Sequence, residues 1–285
     1  GGLIEHMRLS KYHIKTALSL GTYALIGMWG TNRGITTFSA RKNMLRPGSG
    51  KYFRWQYGDV FYHKYGNGSP ILLLHELHPA FNSYEWEDTI DALSLKHTVY
   101  VVDLPGCGRS VKVNTVYTNY YYVLFLKAFI KSVIKKRCDV ITSGYSSSFA
   151  IEAAAIYPGI IRKIYAVSPM SLNRLAISAT CKSKAAATLL SLPVIGTFVY
   201  NMIERRENLS LAFTEKYLYN PFRSQERYAD AFYEGAHYHD GRGKYLLASI
   251  EGKYMTVNLS NALQKTGDQI TLIFGDKTTS AEYIT

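Results

Sequence analysis

The sequence predicts an α/β protein with a mostly parallel sheet. Five runs of apolar residues, typical of strands buried on both faces, recur along the chain, and segments with helical spacing separate most of them. Strands that alternate with helices form βαβ units, in which helices cover both faces of a parallel sheet. The five runs are SPILLLHEL (69–77), HTVYVVDL (97–104), CDVITSG (138–144), IRKIYAVSP (161–169) and QITLIFGD (269–276).

The segments around these runs fit the same fold. The aromatic segment 52–68, broken by glycine-containing turns, predicts two short strands ahead of the first run. The polar segment before it, RKNMLRPGSG (41–50), is a predicted linker. Helical spacing predicts helices in YEWEDTIDALS (84–94), YYYVLFLKAFIKSVIKK (120–136) and SSSFAIEAAAIYP (146–158).

Residues 171–265 interrupt the alternation of strands and helices. This stretch contains long helical patterns rich in Tyr and Phe, and the strand pattern resumes only after it. We interpret an all-helical insertion between two strands as a cap over the strand ends. The predicted organisation is an N-terminal hydrophobic segment with a linker (1–50), a first part of the core (51–170), a helical cap (171–265) and an incomplete second part of the core (266–285).

Composition argues against several classes of function. The chain has 33 Lys and Arg against 21 Asp and Glu, a formal net charge of +12, but the basic residues are scattered and no nucleic-acid-binding motif accompanies them. The three cysteines, Cys107, Cys138 and Cys181, are widely spaced and form neither a disulfide framework nor a metal-binding pair. We therefore expect no nucleic-acid partner, no metal and no cofactor.

The N-terminal region contains an uncharged stretch, TALSLGTYALIGMWG (16–30), that follows several basic residues. It is shorter than the roughly 20 residues that a membrane-spanning helix needs. It suits the core of an export signal or a short membrane anchor, and the alternative is an amphipathic helix packed on the domain. The expected localisation is membrane-associated or exported, otherwise cytoplasmic. The six residues before Met7 are left out of the fold prediction.

The stretch DVITSGYSSSFAIEAAA (139–155) carries a candidate nucleophile at a junction between strand and helix. A nucleophilic serine on such a sharp turn needs small residues two positions before and after it. Ser146 meets this requirement with Gly144 and Ser148, whereas Ser147 would place Tyr145 in the crowded position. The alternative is that these serines only cap the helix.

The serine stretch at 139–155 and two motifs that precede it in the chain resemble the α/β-hydrolase fold family, and the resemblance covers residues 52–170 and 269–276. DLPGCGRS (103–110) is similar to the D-x-x-G-x-G-x-S loop of esterase-, lipase- and haloperoxidase-like members. LLLHEL (72–77) is similar to the His-Gly stretch beside the oxyanion hole, with Glu76 in place of the usual glycine. The resemblance implies that the backbone N–H groups of Leu77 and Ser147 form the oxyanion hole and that the helical insertion is the cap of this family.

The resemblance also implies a catalytic acid after a late strand and a histidine after the last one. Asp276 is the nearest carboxylate, while Glu282 and Asn173 mark alternative positions for the acid. All eight histidines lie at or before residue 239, so the family's last strand and helix, with the catalytic histidine, are predicted to be missing and the chain to be truncated. Upstream, His75 and His78 lie on the catalytic edge. His237 and His239 are too poorly spaced on a helix to chelate a metal.

Two functions follow as expectations. The first is a serine hydrolase that acts on an ester or amide of an apolar or small acyl group, with a small-molecule substrate. In this chain it would be inactive for want of the catalytic histidine. The alternative is a non-catalytic binding protein with the α/β-hydrolase fold.

Overall fold

The structure is a computed structural model that describes residues 2–217 and 226–275. Within these residues, seven strands form one mixed, mostly parallel sheet in the order β1-β2-β4-β3-β5-β6-β7. Only the β1–β2 and β2–β4 pairs of this sheet are antiparallel. The predicted fold class is confirmed. The strands are β1 Lys51–Trp55, β2 Gly58–Tyr65, β3 Ser69–Leu74, β4 His97–Val102, β5 Cys138–Ser143, β6 Ile161–Val167 and β7 Ile270–Ile273.

In the part of the chain that the structure describes, four α-helices precede β6, and the residues between β6 and β7, which we call the helical insertion, form seven more. The helices before β6 are α1 Gly2–Ser39, α2 Glu87–Ser94, α3 Asn119–Phe129 and α4 Ser146–Ile156. Those of the helical insertion are α5 Leu172–Leu175, α6 Cys181–Ser191, α7 Val194–Ile203, α8 Arg206–Tyr217, α9 Glu226–His237, α10 Lys244–Glu251 and α11 Ser260–Thr266.

The central strand β3 is buried on both faces, which explains its unbroken run of apolar residues. Leu72 and Leu74 belong to the main core cluster, which includes residues of α3 and α4. Ile71 and Leu73 belong to a second cluster with Ile90 of α2. Successive side chains of a strand point to opposite faces, so each pair packs against a different layer of helices.

The uncharged residues 16–30 lie within α1, which is longer than the sequence pattern predicted. The C-terminal part of α1 packs on the helical insertion, where Asn32 Nδ2 donates to Val194 O (3.1 Å) and Asn201 Nδ2 donates to Asn32 Oδ1 (2.9 Å). Across the described ranges, no single helix combines the length and apolar composition of a membrane span. The pair α6 and α7, bent by 107°, meets those two criteria only when taken together.

The loops at the carboxyl ends of β3, β4 and β5 meet at one edge of the sheet. Asp103, directly after β4, holds two of them together. Its carboxylate accepts hydrogen bonds from the N–H of Ser83 (2.8 Å), and from the backbone N–H (2.9 Å) and Nε (2.7 Å) of Arg109. The D-x-x-G-x-G-x-S segment therefore has a structural role, fixing the β3–α2 and β4–α3 loops beside the end of β5.

Candidate functional site

The bend between β5 and α4 is centred on Gly144. This glycine has φ +53°, in the left-handed region, and the helix begins two residues later at Ser146. The small residues on either side of the bend are Thr142 and Ser146, two positions before and after Gly144. The sequence pattern predicts Ser146 as the centre of this motif, whereas the backbone bends at Gly144. In the structure, the position that would present a side chain at the top of the bend carries no side chain.

Ser146 lies in the first turn of α4 and is fully buried. Its Oγ lies 2.8 Å from Ser143 O and 3.2 Å from Leu74 O, and it accepts a hydrogen bond from the N–H of Ser143 (3.1 Å). The hydroxyl thus ties the helix to the ends of β5 and β3. A nucleophilic hydroxyl must be accessible to its substrate, so this placement does not favour the predicted role of Ser146 as nucleophile, which stays a prediction.

Ser147 likewise lies inside the turn. Its backbone N–H donates to Gly144 O (3.4 Å), and its Oγ is hydrogen bonded to Thr142 Oγ1 (2.8 Å). The N–H is therefore used within the helix start and does not face an open anion site. This geometry does not favour the predicted pairing of Leu77 with Ser147 as oxyanion donors, which stays a prediction.

The backbone amides of Leu77 and Tyr145 converge at the bend. The N–H of Leu77 (3.0 Å) and the N–H of Tyr145 (2.9 Å) both donate to Glu76 Oε1. Such a pair of donors, beside the positive end of α4, is the arrangement that stabilises an oxyanion in acyl transfer. Here the protein's own carboxylate occupies it. Leu77 was predicted as a donor, whereas Tyr145 was not.

The carboxylate of Glu76 also occupies the space above Gly144. A Cβ added to Gly144 would overlap Glu76 Oε2 and contact the rest of the carboxyl group. Glu76 is 6% exposed. Because of the overlap, the side chain of Glu76 restricts what can stand at position 144, although the two residues are 68 positions apart in the sequence. Two sequence signals could have revealed this arrangement. Glu76 stands in place of the glycine of the motif that LLLHEL resembles, and the small-residue motif can also be centred on Gly144.

The upstream histidines are held in structural hydrogen bonds. His75 is fully buried, its Nδ1 donates to Glu76 O (2.7 Å), and its Nε2 accepts from the N–H of Leu104 (2.9 Å). Burial lowers the pKa of His75 to about 4, so the ring is neutral at physiological pH. Both ring nitrogens are used, and the ring fixes the ends of β3 and β4.

His78 lies near the same edge and contacts the helical insertion. Its Nδ1 accepts from the N–H of Ala80 (3.3 Å), and its Nε2 lies 3.4 Å from Glu204 Oε1 at the end of α7. Since Nδ1 is an acceptor, the neutral ring carries its proton on Nε2 and donates it to Glu204. Burial raises the pKa of Glu204 to about 8.

The other predicted acids and histidines do not lie at the bend or fall outside the described residues. Asp276 and Glu282 fall outside the described residues. Asn173 is exposed on α5. His237 is buried with Nδ1 donating to Tyr233 O (2.8 Å), and burial lowers its pKa to about 4. Within residues 2–217 and 226–275, no group of three or more His, Cys, Asp or Glu side chains could hold a metal ion.

A cavity of about 360 Å³ lies between the bend and the helical insertion. Glu76, His78 and Tyr145 line it from the core side, and the insertion contributes aromatic and apolar walls. Among the described lining residues, Tyr145 is present and Ser146 is not. The Tyr145 hydroxyl donates to Met255 O, so the residue after the bend also ties the core to the insertion. The helical insertion contributes Met170, Arg174, Phe213, Phe232, Glu251, Lys253 and Met255 to this lining.

Comparison of the sequence with protein-family models and with curated proteins finds no match. The structure, however, is similar to those of several solved enzymes. An ancestral haloalkane dehalogenase is 20% identical, with a TM-score of 0.55 over 79% of this chain and 81% of that one. An epoxide hydrolase is 15% identical, with a TM-score of 0.58 over 79% and 89%. A meta-cleavage product hydrolase from Pseudomonas fluorescens is 17% identical, with a TM-score of 0.56 over 80% and 90%.

Proposed function

Because the chain has the α/β-hydrolase fold, we propose that it is a non-catalytic member of that fold which binds a small molecule beneath its helical insertion. The observation that carries this proposal is the Glu76 carboxylate, which accepts both amide hydrogen bonds at a bend formed by a glycine. In this proposal the segment 171–265 acts as the cap of the binding site.

The chemistry at the bend supports binding over catalysis. Nucleophilic catalysis needs a reactive side chain, a base that activates it and donors free to hold the developing oxyanion. Gly144 supplies no reactive group, and the two amides that could hold an oxyanion already bind Glu76. A substrate oxyanion would have to displace a carboxylate of the same charge from these donors.

The cavity supports the binding part of the proposal. Its volume of about 360 Å³ lies within the usual range for small-molecule sites, and it is enclosed partly by apolar and aromatic side chains with a few polar groups. Phe81 and Phe232, whose rings stack at 4.5 Å, belong to a buried cluster that extends into this wall.

Serine hydrolysis of an ester or amide is the competing function. It would need Ser146 to leave its hydrogen bonds with Ser143 and Leu74, and Asp276 or a neighbour to orient a histidine base. The test is labelling of the full chain by a fluorophosphonate probe. We expect no labelling. Labelling that is lost in Ser146→Ala but retained in Ser148→Ala would overturn the proposal and establish a serine hydrolase.

A second observation favours attachment to a membrane surface. Ile14, Leu18, Leu20, Tyr23, Ile26 and Trp29 of α1 are more than half exposed. We propose that this part of α1, residues 14–29, lies on an anionic bilayer, since Lys15 and Arg33 lie near its two ends and the whole chain carries +12. The bilayer would cover an apolar helix surface that otherwise faces water.

Co-sedimentation with phosphatidylglycerol–phosphatidylcholine vesicles tests this attachment. We expect the parent chain to sediment with the vesicles and the double variant Leu18→Ser, Ile26→Ser to remain largely in solution. Leu211→Ser, an exposed leucine on α8 (57% exposed), is the matched control and should behave like the parent. Equal sedimentation of the double variant, or no binding by the parent, would refute the attachment.

A further inference from the structure

We propose that the cavity beneath the helical insertion selects a ligand with a protonated amine on an apolar body, and that Glu76 is the residue that selects it. This inference rests on the proposed binding function and specifies the chemical class of its ligand. It follows from the position of Glu76 in the cavity lining and from the surroundings of its carboxylate.

The two amides at the bend would, if vacant, favour a negatively charged ligand. The N-terminus of α4 and the N–H groups of Leu77 and Tyr145 all direct partial positive charge to one point. Glu76 Oε1 occupies that point, so the protein has converted an anion site into a fixed negative charge. A ligand carboxylate or phosphate would meet both an occupied site and a like charge.

An ammonium group fits the same place. Glu76 is 6% exposed, and an opposite charge in direct contact with a desolvated carboxylate interacts much more strongly than a pair in water. Charge-assisted hydrogen bonds of an ammonium to a carboxylate are also stronger than those of a neutral hydroxyl. The carboxylate therefore discriminates by charge and not only by hydrogen bonding.

The walls of the cavity suit the rest of such a ligand. The Phe232 ring lies 4.5 Å from the Phe81 ring and 5.4 Å from the Phe213 ring, and all three residues line the cavity. Their faces can pack against an apolar chain or ring and can also attract a cation. Met170 and Met255 add adaptable apolar surface, which accommodates ligands of different shape.

The other charged residues of the lining do not reverse this preference. Arg174 and Glu251 are exposed and Lys253 is half-buried, so these charges are screened by solvent and partly offset one another. His78 accepts a hydrogen bond at Nδ1, so its ring is neutral and donates to Glu204 from Nε2. Among the described lining residues, Glu76 is the buried carboxylate, and it makes the end of the cavity next to the bend negatively charged.

Isothermal titration calorimetry with three matched probes tests the inference at pH 7.5. The probes are 4-phenylbutylamine, 4-phenylbutanol and 4-phenylbutanoate, which share an apolar body and differ in the terminal group. We expect the amine to bind about tenfold more tightly than the alcohol, as a contact with a desolvated charge allows. The carboxylate should not bind measurably.

Variants assign the preference to Glu76. Glu76→Gln keeps the shape and an amide oxygen for both N–H donors, so it should reduce the preference for the amine over the alcohol to less than about threefold. Glu76→Ala vacates the two amides and should admit 4-phenylbutanoate, a gain that misfolding cannot produce. Asp91→Asn, which removes an exposed acid of α2 outside the cavity lining, is the control and should preserve the preference.

The outcomes separate this inference from the proposal on which it rests. Binding of the alcohol with no advantage for the amine would overturn the amine inference and leave the binding function standing. Retention of the amine preference in Glu76→Gln, or tight binding of 4-phenylbutanoate by the parent chain, would also overturn the inference. Failure of all three probes to bind would refute both.

Discussion

Glu76 and Gly144 occupy one shared volume at the end of β5, with the Glu76 carboxylate in the position that a side chain on residue 144 would take. The carboxylate of Glu76 explains why residue 144 is a glycine, and the glycine leaves the space that the carboxylate fills. A side chain at the bend would expel the carboxylate, and without the carboxylate the amides of Leu77 and Tyr145 would lose their present partner. Glu76 replaces a glycine of the family motif, and Gly144 forms the bend. These two features depend on each other.

This coupling predicts a strong non-additivity in stability. Gly144→Ala should lower the free energy of unfolding by about 2–4 kcal/mol, because the left-handed backbone costs about 1 kcal/mol and the overlap with Glu76 adds strain. Adding Glu76→Ala should restore the part of the loss that is due to the overlap. Urea denaturation of the parent, both single variants and the double variant measures this coupling. Losses that simply add would contradict the shared volume.

Ser146 is predicted to contribute to stability. Ser146→Ala should cost about 1–2 kcal/mol, since the buried hydroxyl bonds to the backbone of Ser143 and lies within reach of Leu74 O, and its loss leaves these polar groups less well satisfied. Ser260→Ala, at an exposed position on α11, is the control and should change stability by less than about 0.5 kcal/mol. The measurement is again urea denaturation. Equal values for the two variants would refute a structural role for the Ser146 hydroxyl.

The sheet could be predicted from the sequence, whereas the bend could not be centred correctly. Each of the five apolar runs contains a strand of the structure. For β3, β4 and β5, burial on both faces explains the continuous apolar signal, as in Ile71–Leu74. The run in β7 has the same pattern, but residues 271–273 are exposed, so the expected burial is wrong for this strand. The small-residue motif can be centred on Gly144 or on Ser146, and only the first agrees with the backbone. The choice depends on the contact of Glu76 with Gly144, which is distant in sequence and leaves no periodic pattern.

The exposed helix α1 illustrates a different limit of prediction. The uncharged run 16–30 was recognised, but the helix continues to Ser39, where polar residues pack on the helical insertion. Asn32 shows the reason. Its side chain bonds to Val194 and Asn201, and such long-range partners extend an element beyond its apolar stretch. The positions of Asp276 and Glu282 relative to the bend stay predictions.

Asp103 is predicted to make stability sensitive to acid. The Arg109 guanidinium and several hydrogen bonds hold the pKa of Asp103 well below its usual range, although burial alone would raise it. A depressed folded-state pKa means that the contribution is complete above about pH 4 and is lost as pH falls through the folded-state pKa. Asp103→Asn should therefore lower stability at pH 7 by about 3–5 kcal/mol, because it leaves Arg109 buried without its charge partner.

The pH profile separates this effect from a loss of packing. Between pH 5 and pH 2 the parent should lose more stability than Asp103→Asn, so that the two profiles converge in acid. Asp88→Asn removes an exposed carboxylate paired with Arg227 and is the control; its effect should be much smaller at every pH. Parallel profiles for the parent and Asp103→Asn would show that the ionised Asp103 does not contribute the expected stability.

Glu204 is predicted to make the protein less stable as pH rises, whereas Asp103 makes it less stable as pH falls. Burial raises its pKa to about 8, so between about pH 4.5 and pH 8 the folded chain binds more protons at this site than the unfolded chain does. This site alone makes stability fall as pH rises, by up to about 1.4 kcal/mol per pH unit. Glu204→Gln removes the charge while its amide oxygen can still accept from His78 Nε2. It should therefore stabilise the protein at pH 8 more than at pH 6.5.

The window from pH 6.5 to pH 8 is the one in which Glu204 can be observed with little interference from other buried groups. His75 and His237, whose pKa values burial lowers to about 4, raise stability with pH only up to about pH 6.5. Lys112 and Lys244, with pKa values lowered to about 8, raise it only above that pH. Urea denaturation at half-unit steps across this window should therefore give a negative slope for the parent, less negative in Glu204→Gln. Equal slopes would mean that Glu204 is ionised throughout and that a cation compensates its burial.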